Sequence, residues 1–445
     1  MPRWAEKRLS GWGRIPAITA RAARPERMRD LAEALADVQD GSVLAYGGGR
    51  SYGDAALNST GSTVITSRLD RLLEFEPESG LLVAEAGVRI GDVIDVFLRR
   101  GFMLPVAPGT GFATLGGAVA NDVHGKNQHQ AGSFGHQLQW LDLRLPDGEL
   151  RRVQASSDDP LFRATLGGLG LTGIVERLCV RLKEVPSDAV TVTRRRIRDL
   201  DDFLAGFEAN QDTADYIVGW IDAMATGAKL GRGILELAQP SNTPSTPIRR
   251  RTRRVPFDFP SLTLNPMTVR AFNAIYSRSA PSRAREAIVP YPKFLFPLDA
   301  VLEWNRIYGR RGFRQFQCLV PLAGGREALA RMLERVAKRA GGSFLAVLKA
   351  MGRPGLGYLS FPGPGYTLAL DFPERRGIVA LINELEAMAC EAGGRVYLAK
   401  DSTLQPELLG QMYPELDAYR EVLAEVDPQR KMHSDLADRV RLRPE

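Results

Sequence analysis

The chain has 445 residues, 44% of them hydrophobic and 25% charged, a composition that suits a globular protein with a sizeable core. No run approaches 18 apolar residues, so no membrane span is expected, and three scattered cysteines, Cys179, Cys318 and Cys390, argue against a disulfide framework or a zinc knuckle. The net charge of +7 favours acidic partners: phosphorylated substrates, anionic lipid or nucleic acid.

The opening "MPRWAEKRLSGWGRIP" has charges but no apolar segment. No secretory signal is expected, and the reading is cytoplasmic or peripheral to a membrane. "RPERMRDLAEALADVQ" and "RIGDVIDVFLRRG" have helical apolar periodicity. "GSVLAYGG", "STVITS", "GLLVAEAG" and "LQWLDLRLPDGEL" read as strands ended by turns. "RLKEVPSDAVTVTRRRI" reads as one long strand leaving this first α+β region. Then come "LDDFLAGFEAN" as helix and "YIVGWIDAM" as strand. The Pro/Ser/Thr/Arg-rich stretch 239–265 reads as a mobile basic loop. "RQFQCLVPL", "GSFLAVLKAMG" and "YTLALDFP" alternate like strands, with "GREALARMLERVAKRAG" and "RRGIVALINELEAMACEAGG" as helices between and after them. That order predicts an antiparallel sheet with helices on one face. "YPELDAYREVLAEVDPQ" closes the chain as helix.

Two arginine clusters, "TRRRIR" (193–198) and "RRRTRR" (249–254), lack the interleaved aromatics of a nucleic-acid-binding sheet. They read as solvated loops or as a surface that meets phosphate headgroups, and no nucleic-acid partner is expected. "NDVHGKNQHQAGSFGH" (121–136) holds His124, His129 and His136. Their spacing, interrupted by glycines, is not a zinc pattern, so no metal is expected.

Three glycine-rich stretches sit next to strands: "AYGGGRSYGD" (45–54), "PGTGFATLGGAVANDVHGKN" (108–127) and "ATLGGLGLTGIVERLCVRL" (164–182). Consecutive glycines let backbone N–H groups converge on an anion. Neither the Rossmann spacing nor a P-loop lysine is present. Three such loops together imply a dinucleotide cofactor held mostly by backbone.

These loops, in this order, resemble the FAD-binding domain of the vanillyl-alcohol oxidase/p-cresol methylhydroxylase flavoprotein family. "LSGWGR", "HGKNQHQAGSFG", "PLDAVLEWNRIYG", "FQCLVP", "LDFP", "YLAKDS" and "MYP" resemble the branch of that family that oxidises a polyprenyl-phosphate-linked ribose. The likeness runs from about residue 9 to the C-terminus and is thinnest across 185–290. It implies an α+β fold: an FAD-binding domain (1–187), an inserted substrate domain on an antiparallel sheet with helices (188–394), and a C-terminal return (395–445). It also implies that Tyr46, Gly47, Gly48, Gly49, Arg50, Ser51, Tyr52, Gly53 and Asp54 form the first FAD loop. Arg50 stands near the place where relatives carry a flavin-linked histidine, so FAD is expected to be non-covalent. Gly109, Thr110, Thr114, Leu115, Gly116 and Gly117 would line the cofactor, and His124, Gly125 and Asn127 would lie near its ring. Ile174 would touch its adenine side, and Tyr397 would return from the C-terminal segment.

By the same resemblance Lys400 is the residue expected to position or deprotonate the sugar hydroxyl, with Tyr52 and His124 as partners. Gln315, Gln317 and Lys349 would bind sugar and phosphate. The substrate would be a lipid-linked phospho-sugar presented at a membrane surface, with a short-chain dehydrogenase/reductase as partner. Ala369 stands where the actinobacterial relatives carry a cysteine, two residues before the Asp of "DFP". A soluble sugar alcohol or aldonolactone is the alternative substrate.

Overall fold

The computed structural model describes residues 3–246, 252–260, 263–281, 283–339 and 344–444. Three sheets make up most of it. The first has four strands in the order Trp4–Ser10, Ala17–Ala23, Ser62–Ile65, Val43–Tyr46, with the last three running parallel. The second is antiparallel, in the order Leu72–Glu76, Leu81–Glu85, Ile174–Arg181, Leu138–Arg144, Leu150–Gln154. The stretch "LQWLDLRLPDGEL" is strand Leu138–Arg144 ended by a turn, as expected, and the turn leads straight into Leu150–Gln154. Gly148, at φ 96°, makes its turn, where a side chain would be strained.

The third sheet has eight antiparallel strands drawn from residues 189–396: Arg285–Pro290, Ala189–Ile197, Gly233–Pro240, Tyr216–Ile221, Ala346–Met351, Gly365–Pro373, Phe313–Val320 and Arg395–Val396. Helices Leu200–Glu208, Gly325–Lys338 and Ile378–Glu391 cover one face, as the sequence order predicts. In Gly325–Lys338 the buried residues Ala328, Leu329, Met332, Leu333 and Val336 follow the three-and-four spacing of one helix face. Burying each large side chain contributes roughly 1.5–3 kcal/mol. Phe203 reaches the sheet only because positions 219 and 233 are glycine. A Cβ there would lie 2.3 Å and 2.7 Å from its ring.

The other face of this sheet borders a cavity. Along Phe313–Val320 the side chains alternate: Phe316 and Cys318 point into the core, while Gln315 and Gln317 line a cavity.

Two expectations fail here. "RLKEVPSDAVTVTRRRI" is broken into Lys183–Glu184 and Ala189–Ile197, with Pro186 between, because proline cannot donate to a ladder. The stretch 239–265 is not one free loop. Arg253–Arg254 pairs in parallel with Val301–Leu302, and Phe259 N–H donates to the Arg306 carbonyl at 3.0 Å. Residues 247–251 and 261–262 of that stretch, with Arg249–Arg251, lie outside the described residues. Among the described residues no helix is long and apolar enough to cross a membrane.

Candidate active site

A cavity of about 680 Å³ is lined by all three sheets and the loops between them. Its size is that of a small-molecule or cofactor site. Each glycine-rich loop enters it.

The first loop, 46–54, follows strand Val43–Tyr46 and packs on the second. A Cβ on Gly47 would sit 2.5 Å from Thr114 Oγ1, and one on Gly48 would sit 2.4 Å from the Phe112 carbonyl. Thr114 caps helix Leu115–Ala120 by accepting from Gly117 N–H at 3.2 Å. Gly116 lets that helix approach Ala86, whose Cβ would be 2.8 Å from an added methyl. Arg50 lies over the rings of Trp12 (4.1 Å) and Phe112 (4.7 Å), and its Nε is buried with no partner. Thr110 Oγ1 and Gly111 N–H both donate to Asp299, at 2.8 and 2.7 Å, which fixes the second loop against the turn Pro297–Ala300. Gly170, Gly173 and Ile174 bring the third loop to the cavity.

The C-terminal segment then returns. Tyr52 N–H donates to the Ala399 carbonyl at 2.8 Å, and Tyr397 N–H to the Gln317 carbonyl at 2.9 Å. Lys400 is thereby placed with Nζ 4.0 Å from the centre of the Tyr52 ring. Arg439 locks this register. It donates to both Asp54 oxygens and to Asp401 Oδ2, each at 2.8 Å.

Electrostatically the cavity floor is a cluster of buried, shifted groups. Burial lowers Lys400 to about 8, against the pull of Asp371. Burial, with the like charges of Lys126 and Lys400, lowers Lys349 to about 7. Burial raises the Asp371 carboxyl to about 7. Gln315 Nε2 donates to Asp371 at 2.5 Å and the Tyr308 hydroxyl donates to it at 3.2 Å. His124 is held well below the usual imidazole value, first by burial and then by Lys349 and Lys400, so it is neutral. Gln317 Nε2 lies 3.1 Å from His124 Nε2. An amide N–H there makes Nε2 the acceptor and puts the imidazole proton on Nδ1, which has no protein partner.

The three histidines do different jobs. His124 lines the cavity between Phe361 and Tyr397, with ring centroids at 5.4 and 5.2 Å. His129 Nε2 is 2.9 Å from the Ala214 carbonyl. His136 forms a capping box with Ser133.

Of the residues expected to touch ligand, five do not line the cavity. The Tyr46 hydroxyl donates to the Ser10 carbonyl at 2.8 Å. Gly53, at φ 52°, is pressed on the Asp401 carbonyl. Asp54 is paired with Arg439. Leu115 is in the core, and Asn127 Nδ2 donates to the Pro105 carbonyl at 2.7 Å. The others line it: Gly47, Gly48, Gly49, Arg50, Ser51, Tyr52, Gly109, Thr110, Thr114, Gly116, Gly117, His124, Gly125, Ile174, Gln315, Gln317, Lys349, Tyr397 and Lys400. Sequence reasoning missed Asp371, Lys126 and Asp299. Asp371 stands in the quoted "LDFP", and only its pairing opposite Gln315 reveals it. The "TRRRIR" cluster is mostly spent internally: Arg194 pairs with Glu236, and Arg195 and Arg198 pair with Asp202.

A family profile described as an FAD binding domain matches residues 19–154, and one described as D-arabinono-1,4-lactone oxidase matches 373–440. The chain is 33% identical to decaprenylphosphoryl-β-D-ribose oxidase of Mycolicibacterium smegmatis, over 98% of each chain. The chain belongs to the decaprenylphosphoryl-β-D-ribose oxidase family. It is 35% identical to an uncharacterized protein of Streptomyces coelicolor over 78% of this chain and 98% of that one. D-arabinono-1,4-lactone oxidase of Yarrowia lipolytica is 25% identical over 42% of this chain and 35% of its own length. This member of the oxidase family is an FAD-dependent oxidoreductase. The residues present fit FAD: an orphaned buried guanidinium nitrogen on the first loop, glycines where the loops meet, and a cavity of matching class.

Proposed function

We propose that the chain oxidises the 2′-hydroxyl of a polyprenyl-phosphoryl-β-D-ribose to the 2′-keto sugar. This is the first half of an epimerisation to the arabinose for cell-envelope polysaccharide. The observation that carries the reading is Lys400, buried in the cavity, lowered to about 8 and held against Tyr52. An amine with that value is partly neutral at physiological pH and can take the hydroxyl proton. Bound FAD supplies the redox chemistry.

The chain's own residues do the rest. The loops containing Gly47–Ser51, Gly109–Thr114 and Gly170–Ile174 hold the cofactor without a covalent link, since no histidine stands in the first. Gln315, Gln317 and Lys349 face the sugar and its phosphate from the eight-stranded sheet. Asp371 keeps a negative charge near Lys400 once it ionises. His124 stands neutral in the cavity wall, accepting from Gln317 through Nε2. The domains follow this division: FAD binding in 1–187 and 395–445, substrate binding in 188–394, in the arrangement of the vanillyl-alcohol oxidase/p-cresol methylhydroxylase family. The eight-stranded sheet takes in Arg395–Val396, two residues past that boundary. The protein would work at a membrane surface, with a reductase of the short-chain dehydrogenase type consuming the ketone.

The test is anaerobic. Adding polyprenyl-phosphoryl ribose should bleach the flavin absorbance. Bleaching by an aldonolactone or free alditol but not by the lipid-linked sugar would overturn the reading. That outcome would favour the soluble-substrate alternative, which the profile match over 373–440 supports.

A further inference from the structure

A polyprenyl-linked sugar resides in a bilayer until its head enters the cavity, so this inference rests on the reading above. The cavity reaches the surface beside helix Pro266–Ser279: Tyr276 of that helix and exposed Arg254 both line it. The helix has two unlike sides. Val269, Asn273 and Ser277, four residues apart, are buried, and Asn273 Nδ2 donates to Asp222 Oδ1 at 2.7 Å. The opposite side carries Met267 and Ile275, 80% and 70% exposed, with exposed Ala271 midway between them. At four-residue spacing these three form one apolar stripe on solvent.

The stripe is not an isolated accident of the surface. Among the described residues, five of the ten exposed large hydrophobics fall between 257 and 288: Phe257, Met267, Phe272, Ile275 and Ile288. Residues 252–290 contain six arginines but only two acids, Asp258 and Glu286, and Asp258 is taken by Arg14 at 2.6 Å. Among the described residues none of the six arginines has a carboxylate partner, and Arg253, Arg254, Arg270, Arg278, Arg283 and Arg285 are all exposed. An apolar stripe with unpaired cations around it complements an anionic bilayer better than it does another protein.

We infer that helix Pro266–Ser279 is a membrane-docking element. Met267, Ala271 and Ile275 enter the boundary between headgroups and acyl chains, and the surrounding arginines meet the lipid phosphates. Docked this way, the cavity opening beside Tyr276 and Arg254 faces the surface from which a lipid-linked sugar is taken.

The experiment uses the full-length holoenzyme and co-sedimentation with phosphatidylglycerol/phosphatidylcholine vesicles and with phosphatidylcholine vesicles. The double variant Met267→Asp/Ile275→Asp is compared with the exposed control Leu322→Asp. Wild type and control should bind the anionic vesicles, and the double variant at least about tenfold more weakly. Flavin content should be equal in all three. Bleaching by a short-chain, detergent-soluble substrate should be unchanged in the double variant, while bleaching by vesicle-embedded substrate should slow. Undiminished vesicle binding by the double variant overturns the inference, as does equal binding of wild type to zwitterionic vesicles. A wild-type dimer in solution that the double variant abolishes also overturns it, by making a second copy the occupant. Failure of the short-chain substrate to bleach wild type would instead sink the proposed reaction, leaving the vesicle result to judge the docking.

Discussion

The reaction rate should depend on pH through Lys400, and the size of the effect follows from its position. Burial lowers the amine to about 8. Its neutral fraction is then about 1% at pH 6, about 9% at pH 7 and about half at pH 8. Only the neutral amine accepts a proton, so the rate of flavin reduction by substrate should rise about tenfold between pH 6 and 7. It should rise less steeply to pH 8 and level off above. The sign is set by desolvation: an amine in water would still be charged at pH 9 and would give no plateau below it. Lys400→Met removes the base while leaving the glycine-rich loops in place. It should keep its FAD and lose about 10²–10⁴-fold in reduction rate. Anaerobic stopped-flow mixing at fixed saturating substrate measures both. A rate flat from pH 6 to 8, or a Met variant within about threefold of wild type, would refute the assignment of Lys400 as base.

Other consequences are equally specific. Asp371→Asn removes the charge that raises the Lys400 pKa, so the midpoint of the pH profile should move down; an unmoved or higher midpoint counts against the pairing. Arg439→Met strands the carboxylates of Asp54 and Asp401, 9% and 1% exposed, at a cost of about 3–5 kcal/mol, visible as a lower thermal midpoint and a slower reaction. Gly53→Ala puts a methyl 2.0 Å from the Asp401 carbonyl at φ 52°, and should release FAD on gel filtration, whereas Gly410→Ala, with open space around it, should not.

The histidine cluster shows what kind of information each level holds. In sequence, His124, His129 and His136 are equivalent neighbours. In space, a single bridge between His124 and Ser133 turns the chain, so the first ring faces the cavity while the other two satisfy backbone groups. The glycine-rich loops were legible because glycine is required where chains press together, as at Gly48 on the Phe112 carbonyl and Gly47 on the Thr114 side chain. Lys400 was legible only through resemblance, since its charge is one of 59 basic residues and nothing local marks it. Its lowered pKa exists because Ala399, Tyr52 and Gln317 carry it back under the sheet.

The sequence by itself determined the periodic parts. Alternation along Phe313–Val320 and Gly365–Pro373 set strand faces, and three-and-four spacing set the helices that cover them. It also determined the glycine-rich loops that line the cavity, because local backbone geometry writes itself into residue type. Tertiary structure alone decided which polar residues meet. Asp371 opposite Gln315, Asp299 under Thr110, and Arg439 across Asp54 and Asp401 join residues far apart in the chain, and the exposure of Met267 and Ile275 is set by what packs around their helix. A buried charge takes its pKa, and an apolar side chain its exposure, from neighbours that only the folded chain assembles.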